Sequence, residues 1–220
     1  MWCVFFRLQR GPCRLTMKNN ISSGFLFTLL LFVPQIAQAH LVSTRFGEFY
    51  SGLLHPVITF SHLLPWLALG LMCGLQPTES ARKAPLLFPL AVAAGVMLGS
   101  GLPQLEMIEW LNRVSTLLLG ILVVLASKLP KQTFNVLVVL VGLCHGYANG
   151  LLELEGQDLA LYVAGVLFAA YVLVTLTAAA SQWLVQGQRW GIIAIRALGS
   201  WVTAIGVLYF GYSMLAPATA

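Results

Sequence analysis

Charged residues are scarce in this chain: 12 Lys and Arg and 7 Asp and Glu make up only 9% of its 220 residues. Hydrophobic residues reach 59%, and the mean hydropathy is +0.86. A soluble domain needs a more polar surface than this composition can supply. Apolar runs of roughly 20 residues, the length that spans a bilayer, recur along the chain with short polar segments between them. We therefore expect an all-α integral membrane protein embedded in a lipid bilayer.

Common catalytic and redox signatures are missing as well. The sequence contains no G-x4-G-K-[ST] phosphate loop, no H-E-x-x-H zinc motif and no Ser-His-Asp set. Of the four cysteines, only Cys73 and Cys144 lie beyond the first 39 residues, and both are in apolar segments. This usage indicates neither a disulfide framework nor a thiolate metal motif. We expect a protein that is not an enzyme and that holds no tightly bound cofactor.

Residues 1–39 have the pattern of a leader. A short basic region beginning at Met17 precedes an apolar stretch of signal-peptide length, and the tripeptide ending at Ala39 (A-Q-A) fits the small-x-small cleavage rule. We expect His40 to begin the mature chain. The alternative is an uncleaved first membrane helix, for which the apolar stretch is short. The predicted parts are an upstream extension (1–16), a signal peptide (17–39) and a transmembrane domain (40–220).

Loss of the leader changes the charge of the protein. Four of the basic residues belong to it, so the mature chain keeps eight basic and seven acidic residues, a net charge of +1. The calculated pI of 9.2 is mostly a property of the leader, and we expect no nucleic-acid partner. Six apolar segments follow in the mature chain and predict a six-helix bundle, with spans at 56–75, 85–102, 107–127, 132–153, 159–185 and 190–215.

The loops predict the orientation of this bundle. Alternate connections carry the basic residues, and basic loops face the cytoplasm. The other connections carry acidic residues without Lys or Arg. Both mature termini are then outside, which agrees with a cleaved signal peptide. The basic connections contain Arg82, Lys83, Lys128, Lys131 and Arg189, and the acidic ones Glu106, Glu153, Glu155 and Asp158.

Three histidines lie in or beside apolar segments: His55, His62 and His145. Ionisable residues at membrane depth are expensive and are functional-site candidates, and imidazole suits divalent nickel, copper, zinc and cobalt. The topology places His62 and His145 at a similar depth, roughly 8–12 Å below the outer surface. His55 and His62 are about 10 Å apart along a regular helix, too far for one coordination shell unless the helix is distorted. The alternative is that these are structural histidines, hydrogen-bonded within the bundle.

Further polar residues adjoin the histidines. Asn149 and Glu153 follow His145 at i+4 and i+8, so they predict a polar face that leads from His145 to the outer surface. Glu109 and Arg113, also four apart, are expected to form a structural ion pair or to support the site. Pro65 has no N–H, so the carbonyl of the residue four positions earlier, Ser61, loses its helical partner beside His62. Pro56 fits the first turn of a helix, with His55 at its start.

Two motifs make the chain resemble a known family. The segments G-L-L-H-P-x5-H-L-L-P-W-L-A-L-G-L (52–71) and L-C-H-G-Y-A-N-G (143–150) are similar to motifs of the HupE/UreJ membrane proteins. The final segment R-A-L-G-S-W-V-T-A-I-G (196–206) resembles the last helix of that family. The resemblance covers nearly all of the mature chain and implies His55, His62 and His145 as metal ligands, with Asn149 contributing less.

The resemblance also implies a function. Proteins of this family accompany nickel hydrogenases and ureases and are regarded as nickel, or nickel and cobalt, permeases of the bacterial inner membrane. Two positions depart from the family pattern, since Ser61 stands where an acidic residue is usual and Asn149 where a second histidine is frequent. The function that the resemblance implies is import of Ni²⁺, or Co²⁺, as the transported substrate, for metalloenzyme assembly. The alternative is a non-transporting membrane protein that docks hydrogenase or urease maturation partners.

Overall fold

The computed structural model describes residues 47–103, 105–150 and 156–215. All regular structure in these ranges is helical: α1 (Glu48–Ile58), α2 (Phe60–Leu75), the short α3 (Thr78–Ala81), α4 (Ala84–Gly101), α5 (Glu106–Val124), α6 (Lys131–Asn149), α7 (Gly156–Gly187) and α8 (Gly191–Leu215). The predicted leader, the start of the mature chain at His40, and Glu153 and Glu155 lie outside the described residues.

Length and composition allow four of the helical segments to cross a membrane singly: Thr78–Gly101, Glu106–Val124, Asp158–Gly187 and Gly191–Met214. Helices α1 and α2 meet the same criterion together, but they are bent by 75° and form a broken span or a re-entrant loop. The described chain therefore has four or five candidate crossings. Helix α6 is not among them, since Lys131, Asn135, His145 and Asn149 reduce its hydropathy. The all-α prediction is confirmed, whereas six crossings stay a prediction.

The first predicted span, 56–75, is wrong in its boundary and its continuity. Helix α1 begins at Glu48, and the chain is interrupted at Thr59, whose φ of −96° and ψ of 105° are extended. Pro56 is buried inside α1 rather than in a first turn, so His55 lies in the last turn of α1 and not at a helix start. The fourth predicted span is also too long, because α6 ends at Asn149 with Gly150 as its C-cap.

Glycines allow α4 and α6 to pack with their backbones in contact. A Cβ atom on Gly146 of α6 would collide with the carbonyl oxygen of Val92 in α4, and one on Gly150 would collide with that of Val96. Gly95 of α4 has the reciprocal position against the α6 backbone. This close packing of small residues fixes the height of α6, and hence of His145 and Asn149, relative to α4.

The long helix α7 packs against α1, α2, α4 and α8, and α5 packs against α2, α6 and α8. The buried core follows these contacts, with Trp66 and Leu69 of α2, Phe88 of α4 and Tyr162 of α7 almost fully enclosed. Helix α5 is a common neighbour of α2 and α6. The first turn of α2 and the last turns of α6 are therefore brought together beside α5.

Candidate metal site

The two most buried histidines meet inside the bundle. His62 lies in the first turn of α2 and His145 near the end of α6, with relative exposures of 7% and 0%. Their Nδ1 atoms are 3.2 Å apart, and the ring planes are nearly perpendicular at 77°. The two side chains are 83 positions apart in the sequence. The structure thus brings together the two histidines that the sequence placed at a similar depth.

The other ring nitrogen of His145 faces α5. Its Nε2 atom is 2.9 Å from the hydroxyl oxygen of Ser115, which also donates a hydrogen bond of 2.8 Å to the backbone carbonyl of Asn112. The side-chain amide of Asn112 donates to the carbonyl oxygen of Cys144, the residue before His145, at 3.3 Å. Both ring nitrogens of His145 therefore have polar neighbours, one on α2 and one on α5.

Asn149 completes the group from the end of α6. Its Nδ2 atom donates to the carbonyl of His145 at 2.7 Å and lies 3.3 and 3.4 Å from the two ring nitrogens of His62. Its Oδ1 atom is buried and has no hydrogen-bond partner among the described residues. A buried amide oxygen without a partner is unusual, and this one belongs to a side chain in contact with His62.

His55 reaches the same group because the helix is broken. Its ring centroid is 5.7 Å from that of His62, although the two residues would be about 10 Å apart on a regular helix. The extended residue Thr59 turns α2 away from α1 and brings the two rings together. His55 is partly exposed, whereas His62 and His145 are buried. The three imidazoles thus form a row that leads from a more accessible position to an enclosed one.

Aromatic rings close the site on the side toward the middle of α2. Trp66, one turn after His62, is fully buried, with its ring centroid 6.4 Å from the imidazole of His62. Phe88 of α4 packs against Trp66 edge to face at 5.3 Å. These two rings therefore bound the histidine pair on this side.

The geometry of the histidine pair is suitable for one ion. Two imidazole nitrogens bound to one metal at about 2.0–2.1 Å, with angles between 90° and 109°, are about 2.8–3.4 Å apart. The observed separation of 3.2 Å between the Nδ1 atoms lies within this interval. Among the described residues, no group of three or more His, Cys, Asp or Glu side chains is placed to hold a metal ion. Two imidazoles and neighbouring neutral oxygens are therefore the donors available.

Helix ends add to the electrostatics of the site. His55 lies in the last turn of α1, and His145 and Asn149 lie at the end of α6. The carbonyl end of a helix carries a partial negative charge that favours a cation. The amino end of α2 beside His62 has the opposite sign, so two favourable helix ends oppose one unfavourable end. Backbone dipoles can thus attract a cation to a donor set without a carboxylate.

The remaining predicted residues have other positions. Glu109 and Arg113 form the expected ion pair at 3.0 Å, and the guanidinium of Arg113 also lies over the rings of Trp110 and Tyr209. These contacts tie α5 to α8. Ser61 is half-buried in the first turn of α2, next to His62. Glu153 lies outside the described residues.

Two residues of the site, Asn112 and Ser115, were missed by the sequence analysis. Together with Thr116 they are polar residues at positions i, i+3 and i+4 of α5, and all three are buried. That spacing places them on one face, a signal that could have found them. It does not show which of the three reaches a histidine.

The family comparison agrees with the motifs that carry the histidines. A model of the family described as HupE / UreJ protein matches residues 28–209. The chain belongs to the HupE/UreJ family. No curated protein and no solved structure matches it. Family membership implies a role in nickel or cobalt handling for hydrogenase or urease, and the apolar helices make the chain a multi-pass membrane protein.

Proposed function

We propose that this HupE/UreJ protein is a permease that passes a divalent transition metal, Ni²⁺ or Co²⁺, across the bacterial inner membrane toward metalloenzyme assembly. The ion is the substrate. No catalytic step and no tightly bound cofactor form part of the proposal. The observation that carries it is the pair of buried imidazoles, with Nδ1 atoms 3.2 Å apart on two different helices.

The contacts of this pair favour a ligand site over a purely structural pair. A structural histidine in an apolar bundle needs its ring nitrogens to be hydrogen-bonded and its neighbours to be satisfied. Here the two facing nitrogens can hydrogen-bond to each other, but the buried Oδ1 of Asn149 beside them has no partner in the described chain. A cation bound at this group would replace the hydrogen bond between the rings and would give that oxygen a partner.

The small number of donors is consistent with transport. A permeation site must bind an ion strongly enough to replace part of its hydration shell and weakly enough to release it. Two imidazoles with neutral oxygens meet this condition better than a closed cage of thiolates or carboxylates. The row from His55 through His62 to His145 supplies successive positions for an ion that moves inward.

The membrane potential supplies part of the driving force in this proposal. A negative interior favours inward movement of a divalent cation by roughly 4–5 kcal/mol per 100 mV.

The proposal places the mature termini in the periplasm and includes six crossings, with α6 and the broken α1–α2 pair each counted once. Cysteine substituted for Glu155 should react with an impermeant label from outside, whereas cysteine substituted for Lys131 should not. The reverse pattern would invert the topology.

The proposal includes a cleaved leader. Because A-Q-A precedes His40, the protein purified from membranes should begin at His40. Amino-terminal sequencing that returned Met1 or Met17 would contradict cleavage and would add a crossing before the first histidine.

Metal accumulation tests the function directly. The chain should be expressed in a host that lacks high-affinity nickel uptake and contains neither hydrogenase nor urease, so that no maturation partner contributes. We expect nickel to accumulate with the wild-type chain and not with His62→Ala or His145→Ala at equal protein level. Wild-type cells that accumulate no nickel or cobalt under these conditions would contradict the permease and favour the docking role.

A further inference from the structure

The hydrogen-bond partners of His145 determine which ring nitrogen carries the hydrogen atom, in addition to the position of the ring. Two polar residues of α5 contact α6 beside this histidine: Asn112 bonds to the carbonyl of Cys144, and the side chain of Ser115 contacts the ring of His145 itself. The Ser115 hydroxyl is also within 2.8 Å of the backbone carbonyl of Asn112. These two contacts together determine where the hydrogen atoms are.

A serine hydroxyl has one hydrogen, and a carbonyl oxygen has none to donate. The 2.8 Å contact therefore uses the only hydrogen of Ser115 as the donor to Asn112. Toward His145, Ser115 has only lone pairs to offer. The 2.9 Å contact must then be a hydrogen bond from the Nε2–H group of His145 to the oxygen of Ser115.

A neutral imidazole carries one N–H group. When that group is at Nε2, the Nδ1 atom of His145 has a free lone pair, and this is the atom that lies 3.2 Å from Nδ1 of His62. The nitrogen of a histidine that binds a metal is set by the hydrogen bond made by the other nitrogen. The tautomer fixed by Ser115 is thus the one in which His145 can bind an ion placed between the two rings.

We propose that Ser115 is a positioning residue that holds His145 in the Nε2–H tautomer, so that His145 binds the transported ion through Nδ1. The role of the lone pair rests on the proposed function, whereas the tautomer itself does not. Asn112 supports the arrangement, because its carbonyl orients the hydroxyl of Ser115 and its side-chain amide holds the backbone at Cys144.

Thr116 is a matched control on the same helix. Its hydroxyl donates to the same Asn112 carbonyl at 3.0 Å, and the residue is buried like Ser115. Its methyl group lies toward Gly206 of α8, away from the histidine pair. Thr116→Ala therefore removes an equivalent helix hydrogen bond without changing the partner of His145.

The tautomer can be read in the metal-free protein. The full protein, labelled with ¹³C in its histidines and purified in detergent, would be compared with the variants by NMR, since the Cδ2 shift distinguishes the two imidazole tautomers. His145→Ala identifies the signal of His145. We expect the Nε2–H signature in the wild type, Ser115→Thr and Thr116→Ala, and a shift toward the other tautomer or an average of both in Ser115→Ala.

Metal binding supplies the second readout, with Zn²⁺ as the diamagnetic probe and Ni²⁺ for comparison. Loss of a hydrogen-bond partner of a metal-binding histidine typically lowers affinity by about 10–100-fold. We expect a loss of that size for Ser115→Ala, rescue by the hydroxyl in Ser115→Thr, and wild-type binding in Thr116→Ala. In the zinc-bound wild type, the Cδ2 and Cε1 shifts of His145 should indicate a bound Nδ1 atom.

An unchanged tautomer in Ser115→Ala would overturn the proposal, as would wild-type affinity in that variant or zinc bound through Nε2. Failure of the proposed function is distinguishable from these results. If the wild-type protein neither binds nor accumulates metal, the permease assignment fails, while the signals of the metal-free wild type and Ser115→Ala still decide whether Ser115 sets the tautomer.

Discussion

A polar side chain is buried at each end of α2, but the hydrogen-bond partners of the two side chains are of different kinds. His62 lies in the first turn and Gln76 caps the last, about 20 Å away along the helix. Gln76 is 5% exposed, and its amide donates to the carbonyls of Met72 and Ser127 while its oxygen accepts from the backbone N–H of Leu129. Every polar atom of that side chain is thus used on backbone groups.

The histidine end lacks this complete pairing. His62 contacts other side chains, His145 and Asn149, and the Oδ1 atom of Asn149 is left without a partner in the described chain. Backbone partners, as at Gln76, join the end of α2 to the connection between α5 and α6 and have no capacity for a ligand. At the histidine end the partners are side chains, which can give up their hydrogen bonds to one another and bind an ion instead. Gln76 is therefore a buried polar residue with a structural role, whereas the histidine group has the contacts expected of a ligand-binding site.

The largest effect is expected from the histidine pair itself. Loss of a residue that only hydrogen-bonds to a metal ligand already lowers metal affinity by about 10–100-fold, and His62 and His145 are the proposed ligands themselves. Each single change to Ala should therefore abolish most nickel uptake, and the double variant should lose little more, because residues that act as a unit are not additive. Initial uptake rates at equal membrane protein level measure this.

Insertion of these variants should be nearly normal, because Ala is less costly than His in a membrane helix. Gln76→Ala provides the control for a buried polar residue at the other end of α2. A single His62→Ala or His145→Ala variant that takes up nickel and cobalt at the wild-type rate would make the structural-histidine interpretation the better one.

Gln76→Ala should show the opposite behaviour. The change leaves the partly buried carbonyl of Ser127 and the N–H of Leu129 without their partners, and a fully buried group in that position would cost about 1–3 kcal/mol. We expect a lower thermal midpoint in detergent with unchanged metal affinity per folded molecule. Gln132→Ala, an exposed glutamine in the first turn of α6, should change neither quantity. Weaker metal binding in folded Gln76→Ala would show that the two ends of α2 are coupled.

The sequence was sufficient for the positions of several helices. The apolar segments at 85–102 and 107–127 correspond to α4 and α5 within a few residues, because apolar runs of this length favour membrane-spanning helices. The similar depth of His62 and His145 followed from their positions on oppositely directed spans, but depth alone does not determine that the two rings face one another. The depth estimate needed only the rise of a helix and the order of the loops.

The break at Thr59 could not be read in the same way. Pro56 and Pro65 predicted a helix start and a lost backbone hydrogen bond. Both lie inside helices, and the extended residue lies between them. What holds α1 apart from α2 is tertiary: Gly52 of α1 packs against the backbone at Tyr162 of α7, so closely that a Cβ would collide with it. Likewise, only the packing of α5 against α6 singles out Ser115 from its polar neighbours.

His55→Ala should have an effect of intermediate size. His55 lies in ring contact with His62 but is the most accessible of the three, so we expect it to deliver the ion rather than to hold it. Its loss should raise the nickel concentration needed for half-maximal uptake with little change in the maximal rate, measured over a concentration series. A fall in the maximal rate as large as that in His145→Ala would place His55 in the same coordination shell.

Asn149 gives the smallest expected loss and the clearest test of how tightly the site should bind. Its amide touches His62 and caps the carbonyl of His145, so Asn149→Ala should reduce uptake less than either histidine change. Asn149→His adds an imidazole donor beside the pair. Because a permeation site must also release its ion, this variant should bind Zn²⁺ or Ni²⁺ more tightly in the purified protein while cells accumulate nickel more slowly. Tighter binding with faster uptake would mean that release does not limit transport, and the small number of donors would then have a cause other than the need to release the ion.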